Sequence, residues 1–360
     1  MIDPRPGVLN ITPYKAGEST IAGFDKVLKL ASNESPFGPS PAAVEAVAER
    51  AKTMQLYPDP GCTALRAAIA KVYDLNADQI ICSNGSEELL HLIAKAYAKD
   101  GDEVIMSQYG FLAYPIATDA VGATKVVVPE QDFTTDVDGI LAAVTDKTKC
   151  VFLANPNNPT GTYLTAAEVN RLRDNLRDDI LMVLDAAYTE YVDQDDYDAG
   201  MDLVNNGKDN VIVTRTFSKI YGLAAARVGW AYAPASVLDI LHRIRGAFNV
   251  TALSQVAATA AVLDTDYVAK AKAHNDKWLP IVKEQLEALN IGVTPSLGNF
   301  LLIHFKDASE TQEVDQFLRS KGIIVRPVGN YGLDKSLRLT IGCEEENDAV
   351  IAALTEWRGR

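Results

Sequence analysis

Short apolar runs recur along the chain near residues 79–82, 103–107, 124–128, 149–154, 180–185, 211–215 and 228–233. Between them lie segments with apolar positions at helical spacing, such as 41–54, 86–98 and 165–177. Runs without polar alternation predict strands covered on both faces. Their alternation with helices predicts an α/β fold with a mainly parallel sheet flanked by helices. From about 252 the rhythm changes: a long helical stretch is predicted to about 289, then strands near 299–305, 323–325 and 336–341 mixed with helices. This part reads as a smaller α+β domain. The segment up to residue 36 is rich in Pro and Gly and has no period. The expected division is therefore an arm over 1–36, a large domain over 37–251 and a small domain over 252–360.

Several predicted strands end in polar clusters, which is where ligands bind in open α/β sheets. The run ending at Leu184 is followed by Asp185, with Tyr188 three residues on. In isolation such an aspartate also reads as the opening of a surface turn, and Tyr188 as an amphipathic wall residue. The run 150–154 continues into Asn155-Pro156-Asn157-Asn158-Pro159-Thr160-Gly161. Its prolines force an irregular turn that fixes the Asn158 amide at the strand end, although a turn asparagine can also cap itself.

The run 79–82 leads into Ser83-Asn84-Gly85-Ser86-Glu87. Gly85 permits a tight turn, Ser86 can cap the next helix, and the amides of Gly85, Ser86 and Glu87 would face an anion. Many helix caps of this kind bind nothing. The run 211–215 leads into Thr216-Phe217-Ser218-Lys219, with Arg227 downstream. A lysine amine can form a Schiff base, and hydroxyls with an arginine can hold a phosphate. By itself, a lysine in a polar loop is ordinarily solvated. Together the four clusters answer the separate demands of pyridoxal phosphate: a lysine for the aldehyde, a carboxylate for the ring nitrogen, polar partners for the ring hydroxyl and a phosphate cradle.

Assembled in this order, Asn158-Pro159-Thr160-Gly161, Asp185-x-x-Tyr188 and Ser218-Lys219 with Arg227 resemble the pyridoxal-phosphate aminotransferases of fold type I, over nearly the whole chain. Within them the chain is similar to the histidinol-phosphate aminotransferase family. That likeness rests on Ile11-Thr12-Pro13-Tyr14, Leu30-Ala31-Ser32-Asn33-Glu34-Ser35-Pro36, Tyr57-Pro58-Asp59, Gly322-Ile323-Ile324-Val325-Arg326-Pro327 and Leu337-Arg338-Leu339-Thr340-Ile341-Gly342.

The resemblance implies that Lys219 is the Schiff-base lysine and proton shuttle, that Asp185 pairs with the ring nitrogen, and that Asn158 and Tyr188 bond the ring hydroxyl. It implies Thr216, Ser218, Arg227 and the amides near Ser86 as phosphate ligands, and Tyr109 as the stacking aromatic. Tyr57 would reach the cofactor phosphate of a second subunit in a homodimer. Arg338 would bind substrate carboxylate, Arg326 with Tyr14 the distal phosphate, and Asn33 belongs to the same substrate set. Ala225-Ala226 depart from the glycine and leucine that many relatives carry before the arginine, which touches local packing rather than phosphate binding.

The implied reaction is transamination between L-histidinol phosphate and 2-oxoglutarate. Alternatives are a broad aromatic amino acid aminotransferase, a threonine-phosphate decarboxylase or carbon–sulfur lyase, and a non-catalytic cofactor-binding regulator. Composition narrows the partners. A net charge of -14 argues against nucleic acid or an anionic membrane as the main partner. Cys62, Cys82, Cys150 and Cys343 are scattered, and the four histidines show no ligand spacing with them, so neither a disulfide framework nor a metal site is expected. No leader pattern or membrane-length apolar run is seen, so a cytoplasmic protein is expected.

Overall fold

The computed structural model describes residues 2, 4–5, 7–13, 18–207 and 209–360. Tyr14, a candidate substrate residue, lies outside the described residues. A two-residue strand, Leu28–Lys29 (β1), comes first. It is followed by Ile80–Ser83 (β2), Glu103–Ser107 (β3), Thr124–Val128 (β4), Thr148–Ala154 (β5), Leu181–Asp185 (β6), Val211–Thr216 (β7) and Gly229–Tyr232 (β8). These seven form one sheet in the order β2-β8-β7-β6-β5-β3-β4. Strands β4, β3, β5, β6 and β7 pair in parallel, whereas β8 is antiparallel to both of its neighbours. All seven predicted runs are strands of this sheet.

The absence of polar alternation has its cause in the two apolar layers. Met182, Leu184, Val151 and Leu153 pack into one core, while Leu181, Val183, Cys150 and Phe152 pack into the other. Successive side chains of a strand point to opposite faces, so a strand buried on both sides has no polar position to spare. Truncating one such residue, for example Leu153→Ala, would cost roughly 2–5 kcal/mol. At the strand ends this apolar requirement lapses, and the polar clusters begin.

Helices flank the sheet. Helix Pro41–Ala51 starts where Ser40 accepts a hydrogen bond from the Ala43 amide and Pro41 needs no donor. The helical stretch expected from 252 to 289 is two helices, Ala252–Leu263 and Thr265–Ala288. Asp264 interrupts it because its carboxylate accepts from the Tyr267 amide and caps the second helix. Periodicity continues across such a break, so pattern alone did not show it.

Beyond these helices come Gly292–Thr294 (β9), Phe300–His304 (β10), Ile323–Ile324 (β11), Arg326–Pro327 (β12) and Ser336–Thr340 (β13). Strands β12-β13-β10-β9 form an antiparallel sheet. Strand β1 pairs in parallel with β11, the Leu30 amide bonds Ile324 O at 2.8 Å and the Thr340 amide bonds Leu30 O at 3.0 Å. The segment leading to Ser32 and Asn33 is thus tied to strands more than 290 residues away and brought to the turn that follows β7, where Ser32 O meets Lys219 Nζ. No helix among the described residues is long and apolar enough to cross a membrane.

Candidate active site

A cavity of about 400 Å³ opens where the carboxyl ends of β5, β6 and β7 meet the smaller sheet; Asn158, Asp185, Tyr188, Thr216, Ser218 and Lys219 line it. Ser86, Glu87, Arg227, Arg326 and Arg338 line it as well. The irregular segments that carry them leave three parallel strands at one level of the sheet. Residues distant in sequence therefore converge without any motif spanning them.

Asp185 ends β6 and is almost fully buried. Its carboxylate accepts from the hydroxyls of Tyr114, at 3.0 Å, and Thr214, at 3.1 Å. Burial pushes its carboxyl up to about 6, opposed by those two hydrogen bonds and by the charge of Lys219. A cationic partner brought beside it would restore the charged form. Tyr114 was not foreseen: it sits within helix Ala113–Val121, where an aromatic carries no signal beyond its need for a partner when buried.

Lys219 lies in the turn after β7, and its Nζ donates to Ser32 O at 3.1 Å. Burial, followed by the charge of Arg338, lowers its amine to about 7, with Glu34 and Asp185 acting in the other direction. A lysine so perturbed is available as a neutral nucleophile and base near neutral pH. Tyr188 stands 5.6 Å from Nζ at its ring centroid. Its hydroxyl accepts from Asn33 Nδ2 at 2.8 Å, and burial pushes it up to about 12, so it stays a phenol able to donate.

The asparagine-rich turn divides its labour. Asn155 exchanges two hydrogen bonds with the backbone of Leu164, and Asn157 donates to Thr160 Oγ1 at 3.0 Å, so both hold the loop. Asn158 faces the cavity, and its Oδ1 accepts from Arg338 Nη1 at 2.5 Å. With that oxygen engaged, its amide nitrogen is the group left to donate. Both prolyl bonds of the turn, at Pro156 and Pro159, are cis.

The phosphate-like corner is built from a helix start and the turn after β7. Helix Ser86–Tyr97 begins with Gly85 at its N-cap, so Ser86 is the first helical residue and not the cap. No side chain caps this end, leaving its first amides for another acceptor. Gly85 does not line the cavity, but its φ of 78° favours glycine, and an added Cβ would stand 2.5 Å from Arg227 Nη2 and push that guanidinium aside. Arg227 donates to Ser218 Oγ at 3.3 Å, and Thr216 Oγ1 accepts from the Ser218 amide at 3.1 Å.

Three further expected site residues do not line the cavity of this chain. Tyr109 is not among the lining residues; its ring packs 5.9 Å from Phe133 against the apolar group of Leu302, Val328 and Leu333, and its amide donates to Glu130 as the chain leaves β3. The aromatic lining the cavity there is Phe111, beside Tyr114 at 6.0 Å. Asn33 is fully buried behind Tyr188, whose hydroxyl accepts from its amide, while Asn33 Oδ1 accepts from Thr340 Oγ1; it thus orients a wall residue and does not itself line the cavity. Tyr57 is 80% exposed and stacks on Phe248 at 4.6 Å, outside its own chain's cavity. Glu34 and Tyr331 also line the cavity and were not anticipated in that position. For Tyr331 the available signal was its place between two arginine-bearing strands.

The model of the family described as aminotransferase class I and II matches residues 25–354. The histidinol-phosphate aminotransferase of Paramagnetospirillum magneticum is 54% identical, covering 99% of this chain and 98% of that protein. That of Maricaulis maris is 49% identical over 98% of each. The crystal structure of histidinol-phosphate aminotransferase from Sinorhizobium meliloti in complex with pyridoxal-5'-phosphate superposes with a TM-score of 0.88 at 31% identity, covering 93% of this chain and 92% of that one.

Proposed function

The chain belongs to the aminotransferase class I and II family, and we propose that it transfers an amino group from L-histidinol phosphate to 2-oxoglutarate, with pyridoxal 5'-phosphate as cofactor. The products are imidazole-acetol phosphate and L-glutamate. The observation that carries this reading is the pair of guanidinium groups, Arg326 and Arg338, lining the same cavity as Lys219. Both substrates end in anions, and planar guanidinium groups suit phosphate and carboxylate alike. The full-length likeness to proteins of that activity supports the same substrate pair.

The residues present fit the cofactor. Gly85 leaves space that a Cβ would fill beside Arg227, as a phosphate cradle requires, and Arg338 fixes the Asn158 amide as a donor. Ser86, Glu87, Thr216, Ser218 and Arg227 would hold the phosphate, Asn158 and Tyr188 the ring hydroxyl, Asp185 the ring nitrogen and Phe111 the flat face. Gly85 serves by making room, and Asn33 by orienting Tyr188. The cofactor supplies a reactive aldehyde and an electron sink for the bond broken at the substrate's amine-bearing carbon.

Lys219 Nζ takes the proton from that carbon and later returns a proton, a role suited to an amine near 7. Asp185 keeps a negative charge against the ring nitrogen, held in place by Tyr114 and Thr214. Tyr188 keeps its own proton while it donates. Arg338 and Arg326 fix the anionic end of the substrate, which restricts its rotation before the proton moves.

The same reading makes 37–251 the cofactor-holding domain, 252–360 the small domain and 1–36 an arm. It also makes the protein a homodimer. Tyr57, stacked on Phe248, and Val44, Met54 and Leu56 are exposed, and these are the apolar side chains we assign to the face that a second copy would cover. Arg227 lines both the active cavity and a neighbouring cavity bounded by Val44 and Leu253, so that face adjoins the phosphate corner. Purified protein should convert imidazole-acetol phosphate and glutamate with ping-pong kinetics. Turnover of phenylpyruvate with none of imidazole-acetol phosphate would overturn the substrate assignment.

A further inference from the structure

Resting on the substrate reading above, we propose that Tyr331 is a specificity-determining residue that recognises the ring of the substrate side chain, favouring donors that carry a flat nitrogen heterocycle. Among the described residues, three aromatic side chains line the cavity: Phe111, Tyr188 and Tyr331. Two of them belong to its inner end. Phe111 adjoins Tyr114, which donates to Asp185, and Tyr188 is held by Asn33 beside Lys219. Tyr331 instead belongs to the connection between β12 and β13, so it shares a wall with Arg326 and Arg338.

That connection is built to present a ring. Gly329–Tyr331 forms a single 3-10 turn, which Gly332 ends at φ 79°. Tyr331 is half-buried and packs on Leu302, Val328 and Leu333, with Phe133 and Tyr109 in the same apolar group. Tyr109 therefore belongs to the apolar group against which Tyr331 packs. An aromatic ring buttressed in this way loses little freedom when a second ring packs on it.

The chemistry of the two donors separates at this point. Once the arginines hold an anionic group, histidinol phosphate still has an imidazole to place, whereas glutamate has a second carboxylate. A phenol ring stacks favourably on imidazole and gives no comparable contact to a carboxylate. Tyr331 thus distinguishes the donors while the arginines serve both.

The test uses cofactor-loaded wild type, Tyr331→Phe and Tyr331→Leu, with the glutamate and histidinol phosphate half-reactions followed separately by cofactor absorbance. Calorimetric titration of the aldehyde-loaded enzyme with imidazole-acetol phosphate, which forms a dead-end complex, gives a binding readout independent of turnover. Tyr331→Leu is expected to lose roughly three- to tenfold in kcat/KM for histidinol phosphate and to weaken imidazole-acetol phosphate by a similar factor. Tyr331→Phe should stay near wild type in both, and neither variant should change the glutamate half-reaction. Equal losses on the two donors, no loss in the leucine variant, or a phenylalanine variant as impaired as the leucine one would overturn ring recognition. A wild type active with glutamate but inert toward histidinol phosphate would show instead that the substrate reading itself fails, and this inference with it.

Discussion

Arg326 and Arg338 are register partners across the antiparallel pair β12–β13, and both line the cavity that holds Lys219. Register partners in such a pair point to the same face, so two positive charges are held side by side. Arg338 is buried, with Asn158 Oδ1 and Ala31 O accepting from it, while Arg326 is half-buried. Such an arrangement gains most from a substrate group of high negative charge.

Arg326→Ala should therefore weaken histidinol phosphate more than phenylalanine or tyrosine. Arg338→Ala should impair every carboxylate-bearing donor and also loosen Asn158. Each lost charged contact is worth roughly 2–5 kcal/mol, much of it the cost of leaving an anion unpaired. Comparing kcat/KM for histidinol phosphate, glutamate and phenylalanine decides the matter; equal losses for all three in the Arg326 variant would refute phosphate selectivity there.

Lys219→Ala should abolish turnover yet keep cofactor binding through Asp185 and the phosphate corner. In the cofactor-free protein, the reactivity of Lys219 toward an amine-directed reagent should rise through about pH 7. A neighbouring cation disfavours the charged amine, so Arg338→Ala should move that profile to higher pH. Competitive labelling read by peptide mass spectrometry measures it, and an unmoved profile would exclude the coupling. Because the folded value lies below the ordinary 10.5, the folded state binds fewer protons between the two. This one group therefore makes the cofactor-free protein more stable as pH rises from about 7 toward 10.5, a dependence that Lys219→Ala should remove from a series of Tm measurements.

Asp185→Asn should slow the chemical step by about a hundredfold or more while cofactor affinity changes less, since one preorganised charge is lost and the packing is kept. Single-turnover rates of the cofactor-loaded variant provide the check. Near wild-type rates would remove Asp185 from its assigned role.

Tyr57 supplies a test of the dimer. Mixing an inactive Lys219 variant with an inactive Tyr57 variant should restore part of the activity, because a mixed dimer carries one intact site. Persistent inactivity after verified subunit exchange would count against a shared site.

The sequence by itself determined the seven-stranded sheet, because strands buried on both faces cannot hide their apolar runs. It also located most of the cavity wall, since polar clusters at strand ends stand out against those runs. What it left undecided was direction and distance. Tyr109 and Phe111 are two residues apart, and only tertiary packing, of Tyr109 beside Phe133 and of Phe111 beside Tyr114, decides which aromatic lines the cavity. Asn33 acts through Tyr188, and Tyr114 through Asp185, by hydrogen bonds spanning 155 and 71 residues that no local spacing encodes. The helix break at Asp264, the pairing of β1 with β11 and the facing of Arg326 with Arg338 likewise arise from caps and long-range registers. Local pattern fixes which residues must be buried and where the chain turns; which side chains then meet depends on how separately determined elements pack.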